Sequence, residues 1–462
     1  MSTLVKIKKG LDIPLSGVAG GFVETVDDVS ACALFPADYI GLTPRLLVQE
    51  GDWVTAGTPL ICDKHDVRQG LFSPVTGRVK AVVRAEKRVL QAVVIERANP
   101  VEEAREETLS TLSAVADIIR SMIRQRPFGT MASPDVKPTA VYISCCDSAP
   151  LAAQCDVTLQ GREEEFRCGI DRLADMVAPA SVHVTYRKGA LVERLLSSRE
   201  ASGRVALHEA VGPHPIGLVG TQIAQISPMG PDDVVWTVDP QDVANIGRLL
   251  LTGRYAPERV VAVCGPAAAR PHYCRTVAGA CLSPLLEGQI NESTPQARII
   301  AGNVLTGIAT TTDGYLHAQT SELTLLPEGE YYDFLGWLRP NVKRYSLSRT
   351  FLSGNGSVRS LLQRYMPRMN RYLQLQFDTN RHGDLRPLIF STPMERVFPL
   401  DIYPMQLIKA AATGDVEQMV RLGIREVLPE DFALCEFVDP SKNEIQQIIA
   451  AGIEQCRKEM CR

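Results

Sequence analysis

Apolar positions divide this chain into stretches of different period. Between residues 139 and 263, short β-branched runs alternate with segments whose apolar residues recur every three or four positions. The runs 140–144, 182–186, 204–208 and 234–238 read as strands, and the segments 162–176, 191–197 and 240–252 as helices. In 162–176, Phe166, Ile170, Leu173 and Met176 fall on one helical face. Strand–helix alternation of this kind predicts a parallel sheet with right-handed crossovers. A further β-branched run, 260–263, follows it.

On either side the period changes. Residues 48–96 carry short β-branched pieces punctuated by Gly51-Asp52, Gly57, Pro59 and Pro74, the pattern of a small barrel or sandwich. Before them, 7–15 reads as an extended arm, ended by Gly17 and Gly20-Gly21, that docks as a strand on a later domain. After them, three-to-four spacing of Leu109, Leu112, Val115, Ile118, Ile119 and Met122 predicts a helix over 101–126, stopped by Pro127. Residues 257–330 are rich in glycine turns and read as a small mixed sheet with one short helix near 284–289; their clearest segment is 299–307. The remainder is mainly helical, with segments at 361–375, 402–412, 416–422 and 443–460. The expected domains are an arm (1–40), a barrel-sandwich (41–101), a Rossmann-like parallel α/β domain (102–256), a β-grasp domain (257–330) and a helical domain (331–462).

Composition excludes several function classes. At 462 residues the chain is too long for one core. A net charge of −4 gives no basic field for nucleic acid. No apolar run reaches the roughly 20 residues that span a bilayer, and the N-terminus has no apolar signal core, so a cytoplasmic chain is expected. The twelve cysteines include no Cys-x-x-Cys pair, and buried free thiols are the expected state rather than metal ligands.

Four stretches offer candidate chemistry. The loop Val211-Gly212-Pro213-His214-Pro215-Ile216-Gly217-Leu218-Val219-Gly220-Thr221 follows a predicted strand, at the edge where α/β sheets bind ligands. Gly212, His214, Gly217 and Gly220 are therefore candidates for a ligand-facing or partner-facing turn. The loop lacks both Gly-x-Gly-x-x-Gly and the P-loop signature, and its prolines remove amide donors, so a buried domain junction is the competing reading. Asp147 and Asp156 flank the loop after the first strand, as a carboxylate pair or as helix caps. Cys435 stands alone and reads as a buried thiol. Arg364, Arg368 and Arg371, interleaved with Tyr365, Met366, Met369 and Tyr372, offer a contact to RNA or to a membrane headgroup layer, but their helical spacing favours a solvated or docking face.

The run Gly51-Asp52-Trp53-Val54, with Ser73-Pro74-Val75-Thr76-Gly77-Arg78-Val79, resembles half of the biotinyl/lipoyl carrier motif. That resemblance would make Lys64 a carrier lysine. The long charged connection after Lys64 and the missing second Gly-Asp favour an unmodified module.

Longer strings resemble another family across the whole chain. Lys6-Ile7-Lys8-Lys9-Gly10-Leu11-Asp12-Ile13-Pro14, Gly212 to Thr221, Phe334-Leu335-Gly336-Trp337-Leu338, Arg349-Thr350-Phe351-Leu352-Ser353 and Glu395-Arg396-Val397-Phe398-Pro399-Leu400 resemble the A subunit of bacterial Na+-translocating NADH:quinone reductases (Na+-NQR). The resemblance implies a fold like the flavin subunit of complex I, with an SLBB-like β-grasp module. Both ancestral cofactors would be lost: no residue here would be catalytic, cofactor-binding or metal-binding. It also implies a peripheral subunit on the cytoplasmic side of the inner membrane. Its partners would be the other five subunits, chiefly the membrane subunits, with ubiquinone as a further candidate ligand. The complex as a whole uses NADH, FAD, FMN, riboflavin, iron–sulfur, ubiquinone and Na+. Gln154 stands where the family has Asp, so no acid role carries over there. An unattached lipoyl/biotin-type carrier or a flavoprotein dehydrogenase are the alternatives.

Overall fold

The computed structural model describes residues 3–99, 112–200, 203–294, 296–339, 341, 344–345, 351–353, 365–366, 375, 377–389 and 392–460. Among them the α/β expectation is met at its centre. Ala140–Ser144, Ser181–Tyr186, Val205–Val211 and Val235–Val238 form parallel ladders; Glu163–Val177, Leu191–Glu200 and Val219–Ile226 lie between them, and Pro240–Thr252 follows the last. Helix Pro240–Thr252 has the termini its sequence prescribes: Asp239 accepts from the Gln241 N–H, and Gly253 closes the end at φ 69°.

The expected helix over 101–126 needs correction. It ends at Ser121, and Ile123–Arg126 is a strand, antiparallel to Val235–Val238. The apolar spacing of 118–122 suits a helix, but pairing with the sheet edge overrides it from residue 123. Residues 100–111 lie outside the described part of the chain. The sheet therefore has seven strands, in which an antiparallel pair, Ile123–Arg126 and Thr130–Met131, extends the parallel centre.

The N-terminal segment is stitched through three sheets. Thr3–Lys6 pairs parallel with Val205–Val211 at one edge of the seven-stranded sheet. Val23–Thr25 pairs with His272–Val277 at the edge of a six-stranded sheet. Ala31–Leu34, within the span expected as arm, pairs with Leu90–Arg97 in a four-stranded sheet. That four-stranded sheet and the three strands Pro44–Leu46, Pro59–Asp63 and Gly70–Phe72 make up the N-terminal barrel-sandwich. The six-stranded sheet is built mainly from residues 258–327, with the short helix Ser283–Leu286 as expected and the strand Ala297–Ala301 running into the segment 299–307. Leu60, Ile61, Val93 and Ile95 of the barrel share one core with Val261, Val263, Leu323 and Leu325 of this sheet. The C-terminal helices Pro404–Thr413, Val416–Arg421, Ala433–Val438 and Ile445–Met460 enclose a separate core around Leu407, Ile408, Phe432 and Ile449. Ile13 of the arm and Phe128, in the turn between the two antiparallel strands, also enter that core.

Candidate functional site

The loop singled out by sequence begins as strand Val205–Val211 ends and leads into helix Val219–Ile226. Its backbone is closed on itself: the Ile216 N–H donates to the Pro213 carbonyl at 3.0 Å and the Leu218 N–H to Pro215 at 2.9 Å. The two remaining central amides go to neighbouring segments. The His214 N–H donates to Asp12 Oδ1 at 2.8 Å, and the Gly217 N–H to Ser148 Oγ at 2.8 Å.

His214 is 3% exposed, and its Nδ1 lies 3.0 Å from Ser148 Oγ. Because Ser148 accepts from Gly217, its own proton is available to His214 Nδ1, which favours a neutral imidazole protonated at Nε2. Burial pushes the His214 pKa down to about 4, with Asp12 opposing the fall. The His214 carbonyl accepts from the Leu11 N–H at 2.8 Å, so the arm lies directly along the loop. Gly10 allows this approach: its φ is +146°, and a Cβ there would sit 2.1 Å from the His214 oxygen. Gly212 packs against Ile7 of the same arm. Gln222, fully buried, donates through Nε2 to Ser144 Oγ at 2.7 Å and to the Ile216 carbonyl at 3.0 Å.

Gly220 marks the start of the helix that a bound anion would face in a nucleotide-binding relative of this architecture. Here the neighbour is a carboxylate from the C-terminal domain. A Cβ on Gly220 would lie 2.4 Å from Asp431 Oδ1 and 2.8 Å from Arg126 Nη2. Asp431 Oδ2 accepts from Arg126 Nη1 at 3.3 Å and from the Leu428 N–H at 2.8 Å, while Arg126 Nη1 also donates to the Glu426 carbonyl at 2.9 Å. Asp431 and Arg126 are both 3% exposed. The first turn of this helix thus already has an anion beside it, and that anion has its own counter-charge.

Asp147 and Asp156 are each engaged by a different backbone amide. Asp147 accepts from the Ala149 N–H and Asp156 from the Leu191 N–H, each at 2.9 Å, the latter at the start of helix Leu191–Glu200. Cys435 is buried in helix Ala433–Val438, and burial pushes its thiol up. Lys64 is exposed in the connection between strands Pro59–Asp63 and Gly70–Phe72. That connection is pinned by Asp63, which accepts from the His65 N–H at 2.6 Å and the Thr43 N–H at 2.7 Å. Of the basic–aromatic segment, Tyr365 and Met366 are exposed; Arg364, Arg368, Met369, Arg371 and Tyr372 lie outside the described residues.

Sequence reasoning missed Asp12, Ser148, Arg126 and Asp431, whose roles arise from contacts between distant segments. It also missed Glu322, 3% exposed, whose Oε1 accepts from the Ala153 N–H at 3.4 Å and whose Oε2 has no partner among the described residues. Burial, reinforced by Asp147, pushes that carboxyl well above its usual range. A separate cavity of about 60 Å³ lies between the barrel, the α/β domain and the six-stranded sheet. Tyr39, Tyr255, Asp242, Arg259 and Gln319 line it, and the Arg259–Asp242 ion pair spans 2.6 Å. Among the described residues, no group of three or more His, Cys, Asp or Glu side chains is placed to hold a metal ion.

Three family models match successive parts of the chain: the NqrA N-terminal barrel-sandwich hybrid domain over 5–98, the NqrA second alpha/beta domain over 117–255, and the NQRA C-terminal domain over 260–312. The A subunit of the Na(+)-translocating NADH-quinone reductase of Yersinia pseudotuberculosis serotype I is 36% identical over 471 residues, covering 99% of this chain and 100% of that one. The chain belongs to the NqrA family, the A subunits of these reductases. The Neisseria meningitidis serogroup A member is 34% identical over 469 residues, again covering 99% of this chain and 100% of its own length. Among solved structures, a chain of an NAD+-reducing [NiFe]-hydrogenase matches 49% of each chain at 13% identity with a TM-score of 0.32, too loose to bear on fold or function. Among the described residues of this NqrA family member, no helix is long and apolar enough to cross a membrane.

Proposed function

We propose that this chain is the peripheral A subunit of a Na+-translocating NADH:quinone reductase, seated on the cytoplasmic side of the membrane against the membrane subunits of a six-subunit complex. In this reading it supports the end of the complex that reduces ubiquinone. The flavins (FAD, FMN and riboflavin) and the iron–sulfur centre belong to other subunits. The order of an α/β domain, a β-grasp module and a helical domain is, on this proposal, that of the complex I flavin subunit, kept as a scaffold.

One observation carries the scaffold reading. At the edge where an α/β sheet would hold a nucleotide, the amides of His214 and Gly217 are spent on Asp12 and Ser148, and the Asp431 carboxylate stands at the helix start. A phosphate there would have to displace a buried, charge-paired group, which costs several kcal/mol. The buried Arg126–Asp431 pair and the amides committed to Asp12 and Ser148 suit a rigid supporting part, and a nucleotide site would have to give them up.

The test is complementation of the complex. Membranes lacking this chain should lose NADH:quinone turnover while keeping NADH oxidation by artificial acceptors, and adding the chain back should restore quinone reduction. Normal NADH:quinone turnover without it would overturn the proposal.

A further inference from the structure

Beyond the last strand of the six-stranded sheet, Glu322–Pro327, the chain builds a knob whose base is tightly held and whose tip is apolar. At the base, the Thr379 N–H donates to the Pro327 carbonyl at 3.2 Å, and Thr379 Oγ1 donates to Glu328 at 2.9 Å. Tyr331 Oη donates to Asp378 at 2.8 Å, and Asn380 Nδ2 donates to the Tyr331 carbonyl at 2.7 Å. Above the base, Asp333 holds the turn: its carbonyl accepts from the Gly336 N–H at 3.1 Å, and its carboxylate pairs with Arg344 at 2.5 Å. The Ser353 N–H donates to the Trp337 carbonyl at 3.4 Å, which brings Phe351 and Leu352 to the same turn.

The ordered turn displays its apolar side chains to water. Tyr332 is 89% exposed, Phe334 63% and Trp337 55%, with Leu335, Leu338, Phe351 and Leu352 at 43–50%. Ordering a loop in order to expose aromatic rings is unfavourable unless another phase covers them. Its charge says which phase. Among the described residues of the knob, Arg339 and Arg344 are basic and Asp333 is acidic, and Arg344 pairs with Asp333, which leaves Arg339 as the cation presented to water. Arg339 is 70% exposed and lies 3.9 Å from Asp333, near enough for attraction but beyond a hydrogen bond. Tyr and Trp beside basic residues is the composition that settles at the headgroup level of a bilayer, with rings at the acyl boundary and cations among anionic phosphates.

We infer that the knob at residues 331–339 and 351–353 is a lipid-contact surface that seats the chain on anionic phospholipid, with Phe334 and Trp337 in the interface. This rests on the peripheral placement proposed above. The contact is with lipid itself, additional to any contact with protein subunits.

The test uses the full chain with vesicles of phosphatidylglycerol and phosphatidylethanolamine, and with vesicles of phosphatidylcholine alone. The chain should sediment with the anionic vesicles and release at high salt. Its tryptophan emission should shift to the blue and be quenched by brominated acyl chains. The chain has three tryptophans, and Trp236 is buried. Trp337→Phe should therefore abolish the quenching, while Trp53→Phe should preserve it. Phe334→Ser with Trp337→Ser should lower partitioning by at least about tenfold, since each such side chain fully removed from water is worth that factor or more. Both positions are exposed, so circular dichroism and Tm should stay unchanged. If those two change instead, the quenching experiment on the otherwise unaltered chain decides. Absence of binding to anionic vesicles, or quenching that survives Trp337→Phe, would overturn the inference. A chain that ignores vesicles yet restores quinone turnover would overturn the lipid contact alone and leave the proposed place in the reductase standing.

Discussion

Arg126 and Asp431 stand 305 positions apart in sequence and 3.3 Å apart in space, both withdrawn from solvent, where the next-to-last strand of the α/β sheet meets the C-terminal domain. The pair closes the junction around Gly220. Removing one partner strands the other charge, so Asp431→Ala should destabilise the chain by about 3–5 kcal/mol, read from urea unfolding. Limited proteolysis should find the C-terminal helices cut first. A loss below about 1 kcal/mol would show that the pair is solvated rather than buried.

The close approach of arm and loop makes a second prediction. At Gly10 and Gly220 an added Cβ meets the His214 carbonyl and the Asp431 carboxylate, and Gly10 also has positive φ. Gly10→Ala and Gly220→Ala should each cost about 1–3 kcal/mol. Gly21→Ala, with nothing within 4 Å of its Cβ, should change stability by less than about 0.5 kcal/mol. Chemical denaturation of the three variants side by side checks the contrast.

His214 sets an acid limit. Its pKa falls from 6.5 to about 4 in the folded chain, so between those values the unfolded chain holds the extra proton. The stability it contributes is complete above pH 6.5 and is lost as pH falls towards 4, by an amount on the order of 3 kcal/mol. His183, facing His208 at 2.9 Å, is shifted the same way to about 4, mainly by burial. Calorimetry across this range should show Tm falling with acid, and His214→Gln should flatten part of that fall.

Glu322 has the opposite sign. Its folded pKa lies above the ordinary 4.5, so its favourable contribution is present below that value and is lost as pH rises through the raised pKa. Glu322→Gln keeps the shape and removes the ionisation. Tm should rise at pH 8 and stay unchanged at pH 4; a lower Tm at pH 8 would mean that the carboxylate has a partner after all.

Period and turn chemistry made the architecture legible wherever an element is decided locally. Pro240–Thr252 was readable to the residue because Asp239, Pro240 and Gly253 state both ends. Residues 123–126 were not, because what makes them a strand is the neighbouring Val235–Val238, which no local pattern reveals. The arm at 7–15 was legible as an extended, docked segment but not as a strand, because the strand that pairs with Val205–Val211 is Thr3–Lys6, just before it. That Val23–Thr25 and Ala31–Leu34 join two further sheets was not legible, since three- and four-residue strands carry too little period. At the candidate site the glycines and His214 were visible as a loop of unusual stiffness. Their partners Asp12, Ser148 and Asp431 come from three other segments, and only the fold brings them together.

The central claim is that this chain is a supporting part whose ligand edge is occupied by its own side chains. Extraction of the purified full-length chain, with flavin measured by fluorescence and iron by elemental analysis against protein concentration, tests it most directly. The account predicts neither flavin nor iron in stoichiometric amount. One FMN or one iron–sulfur centre per chain would contradict it.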